Sequence, residues 1–280
     1  MTISRRSFSK MVAMGGAAGA AALAAGCAPT GGTAPAAPST AAGASAAAGA
    51  PPAGGGNVVL VHGAYADGSC WSDVIPLLQA AGVTVTSVQN PLTSMDADAA
   101  AVRRALDAQS GPTVLVGHSY AGAVITQAGD HPLVRSLVYL SARAPDVGED
   151  YPALTKRFPA SPASAGLVYQ EGFGGLTEDA FLNDFANGVP VERARVLYVA
   201  QGRVAQDLFA TKTTVAAWRA KPTRYLITTD DRTTDPQLQR FLAARMKAKT
   251  IEVDSGHLSF VTHPQTVADF VLDAVHSGGA

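Results

Sequence analysis

The chain has 280 residues, among them 21 basic residues, 22 acidic residues and two cysteines. It contains no basic run, and without the Arg5, Arg6 and Lys10 of its first ten residues the formal charge falls from −1 to −4, so nothing favours a nucleic-acid partner. No disulfide staples the folded part, because Cys27 belongs to a leader and leaves Cys70 alone; stability has to come from the core.

Ser4-Arg5-Arg6-Ser7-Phe8-Ser9-Lys10, followed by the Ala- and Gly-rich stretch from Met11 to Ala25, reads as a twin-arginine export signal. A membrane span needs about 20 strongly apolar residues, and Met11 to Ala25 is too short and too poor in large side chains. Leu23-Ala24-Ala25-Gly26-Cys27 resembles a bacterial lipobox, with its leucine four places before the cysteine rather than three. The expectation for residues 1–27 is therefore export, followed either by anchoring through a lipid on Cys27 or by free secretion after cleavage elsewhere. Residues 28–56 shrink to Ala, Gly, Pro, Ser and Thr without a charge. Such a stretch cannot offset its ordering entropy by burial and is expected to be a flexible tether.

The remaining body, 57–280, is the size of one domain with a small insertion and shows no internal repeat. Its pattern alternates. A strand is expected over Asn57–His62, a helix over Cys70–Ala81, a strand over Thr84–Val88 and a helix with charges on its outer face over Asp96–Gln109. A strand at Val114–Val116, a helix after Ser119 and a strand at Ser136–Leu140 follow. The alternation resumes at Thr223–Thr229 (strand), Asp235–Met246 (helix), Thr250–Val253 (strand) and His263–Val275 (helix). Strands separated by helices give an α/β fold with a mostly parallel sheet of about six strands flanked by helices, and sites in such sheets lie at the carboxyl ends of the strands. The interruption, residues 144–221, is expected to form a small, largely helical cap. Phe158, Tyr169, Phe173, Phe181, Phe185, Tyr198, Phe209 and Trp218 are spread through it and would serve mainly as packing, while collectively favouring an apolar pocket. Gly172, Gly174 and Gly175 around Phe173 could permit movement of a lid.

Chemistry-bearing residues fall just past strand ends. Gly117-His118-Ser119-Tyr120-Ala121-Gly122 places a serine on a tight strand-to-helix turn, the pattern of a nucleophile elbow, with Ala where the motif has its last glycine. His62-Gly63-Ala64-Tyr65 follows the first strand, where the amide of Ala64, or that of Tyr65, could join the amide of Tyr120 in receiving an oxyanion. Asp230-Asp231 ends another strand; Asp231, five residues before Pro236, is the candidate acid and Asp230 its competitor. His257, on the loop after the last strand, is the candidate base that a serine needs near neutral pH. His62, His118, His131, His263 and His276 read as structural or solvent-facing, and Cys70 as buried packing.

The order Ser119, Asp231, His257, with the oxyanion strand upstream, resembles the α/β-hydrolase fold over the whole body. Val61-His62-Gly63-Ala64 with Trp71, Gly117-His118-Ser119-Tyr120, Thr229-Asp230-Asp231-Arg232 and Asp254-Ser255-Gly256-His257 look like its compact branch of plant methylesterases, hydroxynitrile lyases and bacterial hydrolases. The lyases of that branch carry threonine at the place of Gly63 and lysine at the place of Leu258. The resemblance therefore implies a serine esterase, for which no metal or organic cofactor is expected, and the aromatic residues of the insertion favour a small ester with an apolar or aromatic part as its substrate. Hydrolysis of a carbon–carbon or amide bond on the same residues, a haloperoxidase-like side activity, and a tethered binding protein that has lost catalysis are the alternatives.

Overall fold

The computed structural model describes residues 55–277. The export signal, Cys27 and all but the last two residues of the expected tether lie outside them. Gly56 already adjoins the sheet, its carbonyl accepting the amide of Thr84 at 3.1 Å.

Six parallel strands form the main sheet: β1 (Asn57–Val61), β2 (Thr84–Val88), β3 (Thr113–His118), β4 (Val134–Leu140), β8 (Thr223–Thr228) and β9 (Lys249–Val253), in the order β2-β1-β3-β4-β8-β9. β1 and β3 are buried along their whole length, as their unbroken apolar runs require of central strands covered on both faces. The edge strands β2 and β9 alternate Thr, Ser, Lys or Glu with apolar residues and stay partly exposed. α1 (Ile75–Ala80), α2 (Met95–Asp107), α3 (Ala121–Ala128), α7 (Pro236–Arg245), α8 (Ser259–Thr262) and α9 (Pro264–His276) accompany the sheet.

The single helix expected over Cys70–Ala81 is two: a 3₁₀ turn at Gly68–Trp71 and α1. Pro76 explains the break, since a proline has no N–H and its ring collides with the carbonyl four residues earlier; it is tolerated only in the first helical turn, where it sits. Helix α2 also departs from expectation at one residue, because Asp98 faces inward and is completely buried.

The insertion between β4 and β8 holds α4 (Tyr151–Thr155), α5 (Glu178–Ala180), which runs into a π turn at Phe181–Phe185, and α6 (Val191–Val199). Besides these helices it carries a three-stranded antiparallel sheet of β5 (Leu167–Gln170), β6 (Phe173–Leu176) and β7 (Val204–Ala205). Glu171 and Gly172 both have positive φ, 53° and 80°, and form the two-residue turn joining β5 to β6. The glycines expected to free a lid thus serve a hairpin: Gly172 turns it, and Gly174 and Gly175 lie within β6.

The elbow depends on Gly122. A Cβ there would sit 2.0 Å from the carbonyl oxygen of Arg143 and 2.7 Å from the Cβ of Ala142, so the start of α3 lies directly against the chain leaving β4. Backbone cannot yield as a flexible side chain can. Gly122→Ala is expected to cost about 3 kcal/mol of stability, read as a lowered urea midpoint at unchanged slope; an unmoved midpoint would show that this contact relaxes freely.

Candidate active site

Ser119 directly follows β3 with φ 53°, a left-handed conformation that non-glycine residues seldom adopt and that the elbow enforces. Its amide donates to Leu140 O at 3.1 Å, and its carbonyl accepts the amides of Gly122 and Arg143 at 3.0 and 2.9 Å. The serine is thus clamped to β4 on one side and α3 on the other. Gly63 lies against it, for a Cβ at that position would meet the Ser119 Cβ at 2.9 Å.

His257 is fully buried on the loop between β9 and α8. Its Nδ1 donates to Asp231 Oδ2 at 2.8 Å, whereas its Nε2 has no hydrogen-bond partner among the described residues. An imidazole held by one nitrogen with the other left as a free acceptor is oriented for proton transfer. The His118 side chain supports the arrangement from below: its Nε2 donates to the His257 carbonyl at 3.0 Å, and the two rings lie 4.5 Å apart. Burial, reinforced by the neighbouring His257, holds His118 well below the ordinary histidine range, so it is a neutral strut. His62 is likewise neutral, lowered by burial; its Nδ1 donates to Gly63 O at 2.8 Å and its Nε2 accepts the amide of Asn90 at 2.9 Å. Both rings are committed to the backbone.

Asp231 and Asp230 have separate surroundings. Asp231 is buried, and besides His257 its Oδ2 accepts Thr228 Oγ1 at 2.8 Å and Gln239 Nε2 at 2.9 Å, while its Oδ1 accepts the amides of Thr233 and Thr234, each at 2.7 Å. Asp230 is exposed and meets Asn187 of the insertion, at 3.1 Å to its carboxylate and 2.8 Å to its carbonyl. The structure therefore brings Asp231, and not its neighbour, to the histidine.

Ser119, Ala64, Tyr65 and Tyr120 share the wall of a cavity of about 520 Å³ beneath the insertion. The backbone amides of Ala64 and Tyr120 find no acceptor among the described residues. Two unpaired amides beside a serine can stabilise an oxyanion formed there. Of the aromatic residues in the insertion, Phe158, Phe185 and Phe209 line the cavity, and Phe181 packs behind Phe185 at 4.9 Å between ring centroids. Tyr169 and Phe173 are instead surface residues on the hairpin, and Trp218 packs inward with its indole N–H on Pro145 O. Cys70 is buried, which pushes its thiol well up and leaves it as packing.

Thr228, Gln239 and Asp98 complete the surroundings without any signal in local sequence. Asp98 accepts the amide of Leu92 and the hydroxyl of Tyr120, each at 2.8 Å, and so ties α2 to the residue following the serine. Burial raises the carboxyl of Asp98, and the two hydrogen bonds only partly oppose this. An acid raised on folding binds its proton more tightly in the folded state, so stability falls as pH rises from the unfolded value of about 3.9 through the folded one. Asp98→Asn removes that loss. Its melting temperature relative to wild type is therefore expected to climb across this window, measured by thermal melts from acid to neutral pH; a constant difference would contradict the assignment.

The profile of the alpha/beta hydrolase family matches residues 58–270. A carbendazim hydrolyzing esterase of Nocardioides sp. (strain SG-4G) is 33% identical over 131 residues, 42% of this chain and 53% of the esterase, so the match spans about half of that relative's length. Methylesterase 8 of Arabidopsis thaliana is 24% identical over 242 residues, covering 76% of this chain and 87% of that protein. Among solved structures, polyneuridine aldehyde esterase superposes with a TM-score of 0.69 at 19% identity, over 79% of this chain and 99% of that one. Six parallel strands, a serine elbow after the third and a family profile spanning nearly the whole described body agree: the chain belongs to the alpha/beta hydrolase family.

Proposed function

We propose that this hydrolase cleaves carboxylic esters through an acyl-enzyme on Ser119, with His257 as base and then acid, Asp231 as its orienting carboxylate, and the amides of Ala64 and Tyr120 as oxyanion donors. The observation that carries the reading is His257, bound to Asp231 through Nδ1 and unpartnered at a buried Nε2. Ser119 Oγ attacks the carbonyl carbon as its proton passes to His257 Nε2, and the carbonyl oxygen becomes an oxyanion facing the two amides. The C–O bond to the alcohol then breaks, and the alcohol departs with the proton from His257. Water repeats the sequence on the acyl-enzyme and frees the acid.

The substrate's apolar or aromatic part would occupy the cavity against Phe158, Phe185, Phe209, Leu167 and Leu176. Gly63, where the lyases of the resembling branch carry threonine, supports hydrolysis, and its bare backbone lets the first strand's end lie against the elbow, since a Cβ there would be 2.9 Å from the Ser119 Cβ and 3.0 Å from the His118 carbonyl oxygen. The esterase names of several relatives support the same class. A series of p-nitrophenyl esters from acetate to octanoate, given to the full-length protein, tests it. Turnover that depends on acyl length is expected, and a folded protein inactive on every ester would move carbon–carbon or amide cleavage ahead. Export by the twin-arginine route with a lipid on Cys27 is part of the proposal; Cys27→Ser should shift the protein from the membrane fraction to the soluble one.

A further inference from the structure

Arg143 stands where the chain leaves β4, its amide bonded to Ser119 O, and its half-buried side chain lines the same cavity as the serine. The guanidinium lies 4.3 Å from the ring centre of Phe209 and 5.3 Å from that of Tyr151. No carboxylate approaches it within 4.0 Å among the described residues. The nearby acids are engaged elsewhere. Asp146 pairs with Arg219, Glu149 pairs with Arg245 at 2.7 Å, and Asp150 caps α4 through the amide of Ala153 at 2.9 Å. Asp235, which also reaches the cavity, caps α7 through the amides of Gln237 and Leu238 at 2.9 and 3.2 Å. Tyr65, Tyr120 and Tyr151 border the guanidinium, and burial raises each of them, so none supplies a negative charge.

A half-buried cation without a counter-ion is costly to maintain. The cation–π contact holds the guanidinium over Phe209, and its N–H groups, which have no hydrogen-bond partner among the described residues, can donate to a carboxylate in bidentate fashion. Lys156, exposed and without an ion pair among the described residues, adds a second positive charge to the cavity wall.

We propose that Arg143 is a specificity-determining residue that binds a carboxylate on the substrate, so that the preferred esters carry a negative charge on the acyl part or the leaving alcohol besides the bond being cleaved. This rests on the ester-hydrolysis reading for the reaction, but not for the binding. The apolar walls take the substrate's carbon frame and Arg143 fixes its charged end.

Two matched pairs of esters test the inference on the full-length protein. The first is 4-nitrophenyl hemiglutarate against its terminal amide, which places the charge on the acyl side; the second is 4-carboxyphenyl acetate against 4-carbamoylphenyl acetate, which places it on the leaving group. In one pair the wild type should favour the anion in kcat/KM by about tenfold to a hundredfold, the range of a charge-assisted hydrogen bond. Arg143→Gln should bring that ratio near one, and Arg143→Lys should retain part of it. Calorimetric titration of Ser119→Ala with the same compounds removes dependence on turnover, and the anion should bind at least about tenfold more tightly than its amide. Equal binding of anion and amide, or a preference that survives Arg143→Gln, would overturn the inference while leaving ester hydrolysis intact. Selective binding of the anion with no ester turned over by the wild type would uphold Arg143 and overturn the esterase reading instead.

Discussion

Ser119→Ala is expected to lower kcat/KM on a p-nitrophenyl ester by about 10⁵-fold, and His257→Ala by a similar factor. Each removes one end of a single proton-transfer unit. Without the Oγ there is no acyl-enzyme, and without the imidazole the hydroxyl has no acceptor for its proton at neutral pH. The double variant should therefore be no worse than either single one, because groups that act as a unit are strongly non-additive. Residual rate above that in water would come from the amides of Ala64 and Tyr120, which neither substitution touches. Both variants should fold, since Ser119 is clamped through its backbone and Asp231, on losing the His257 donor, keeps those of Thr228, Gln239, Thr233 and Thr234. Steady-state kinetics beside circular dichroism checks both points, and wild-type rates in a folded Ser119→Ala would exclude the serine as nucleophile.

The second large effect is expected at Asp231, where Asn should reduce kcat by about 10⁴-fold while Asp230→Asn changes it little. The reason lies in the five donors around the carboxylate. Oδ1 receives two backbone amides, and Oδ2 receives Thr228, Gln239 and His257. Only a group that accepts at both ends satisfies them. An asparagine must turn its NH₂ toward one set, leaving either the Thr233 and Thr234 amides facing a donor or His257 facing one. In the second arrangement Nδ1 becomes the acceptor and Nε2 carries the proton, the wrong tautomer for a base. In the first, the turn that carries the acid loses its hydrogen bonds and stability falls. A kinetic comparison of the two variants with thermal melts separates these, and equal losses from Asp230→Asn and Asp231→Asn would refute the assignment.

Much of this was legible in the chain because the informative residues sit at strand ends. Val114 to Val116 run straight into Gly117-His118-Ser119, and Val58 to Val61 into His62-Gly63, so each strand points out its own contribution to the site. The spacing to Pro236 favours Asp231 over Asp230, and in the structure the Asp231 side chain is buried among donors that include His257 while that of Asp230 reaches the insertion. What escaped depends on distant packing. In sequence Asp98 reads as an outward charge on an Ala-rich helix, since nothing local shows that Tyr120 and Leu92 converge on it. Gln239 and Thr228 lie eleven residues apart and meet only when α7 docks on β8. The β5–β6 hairpin was hidden because Glu171-Gly172 is a weak turn signal between short strands, one of them glycine-rich. Pro76, by contrast, is visible in the sequence, and it divides the stretch from Cys70 onward into a 3₁₀ turn and α1.

Activation of Ser119 as a nucleophile is measured most directly by intact-protein mass spectrometry after treatment with a fluorophosphonate. The full-length protein should gain the mass of one phosphonyl group, carried by the peptide containing Ser119, with the adduct absent from Ser119→Ala and slow to form in Asp231→Asn. A folded wild type that stays unlabelled, or a Ser119→Ala variant labelled to the same extent, would contradict it.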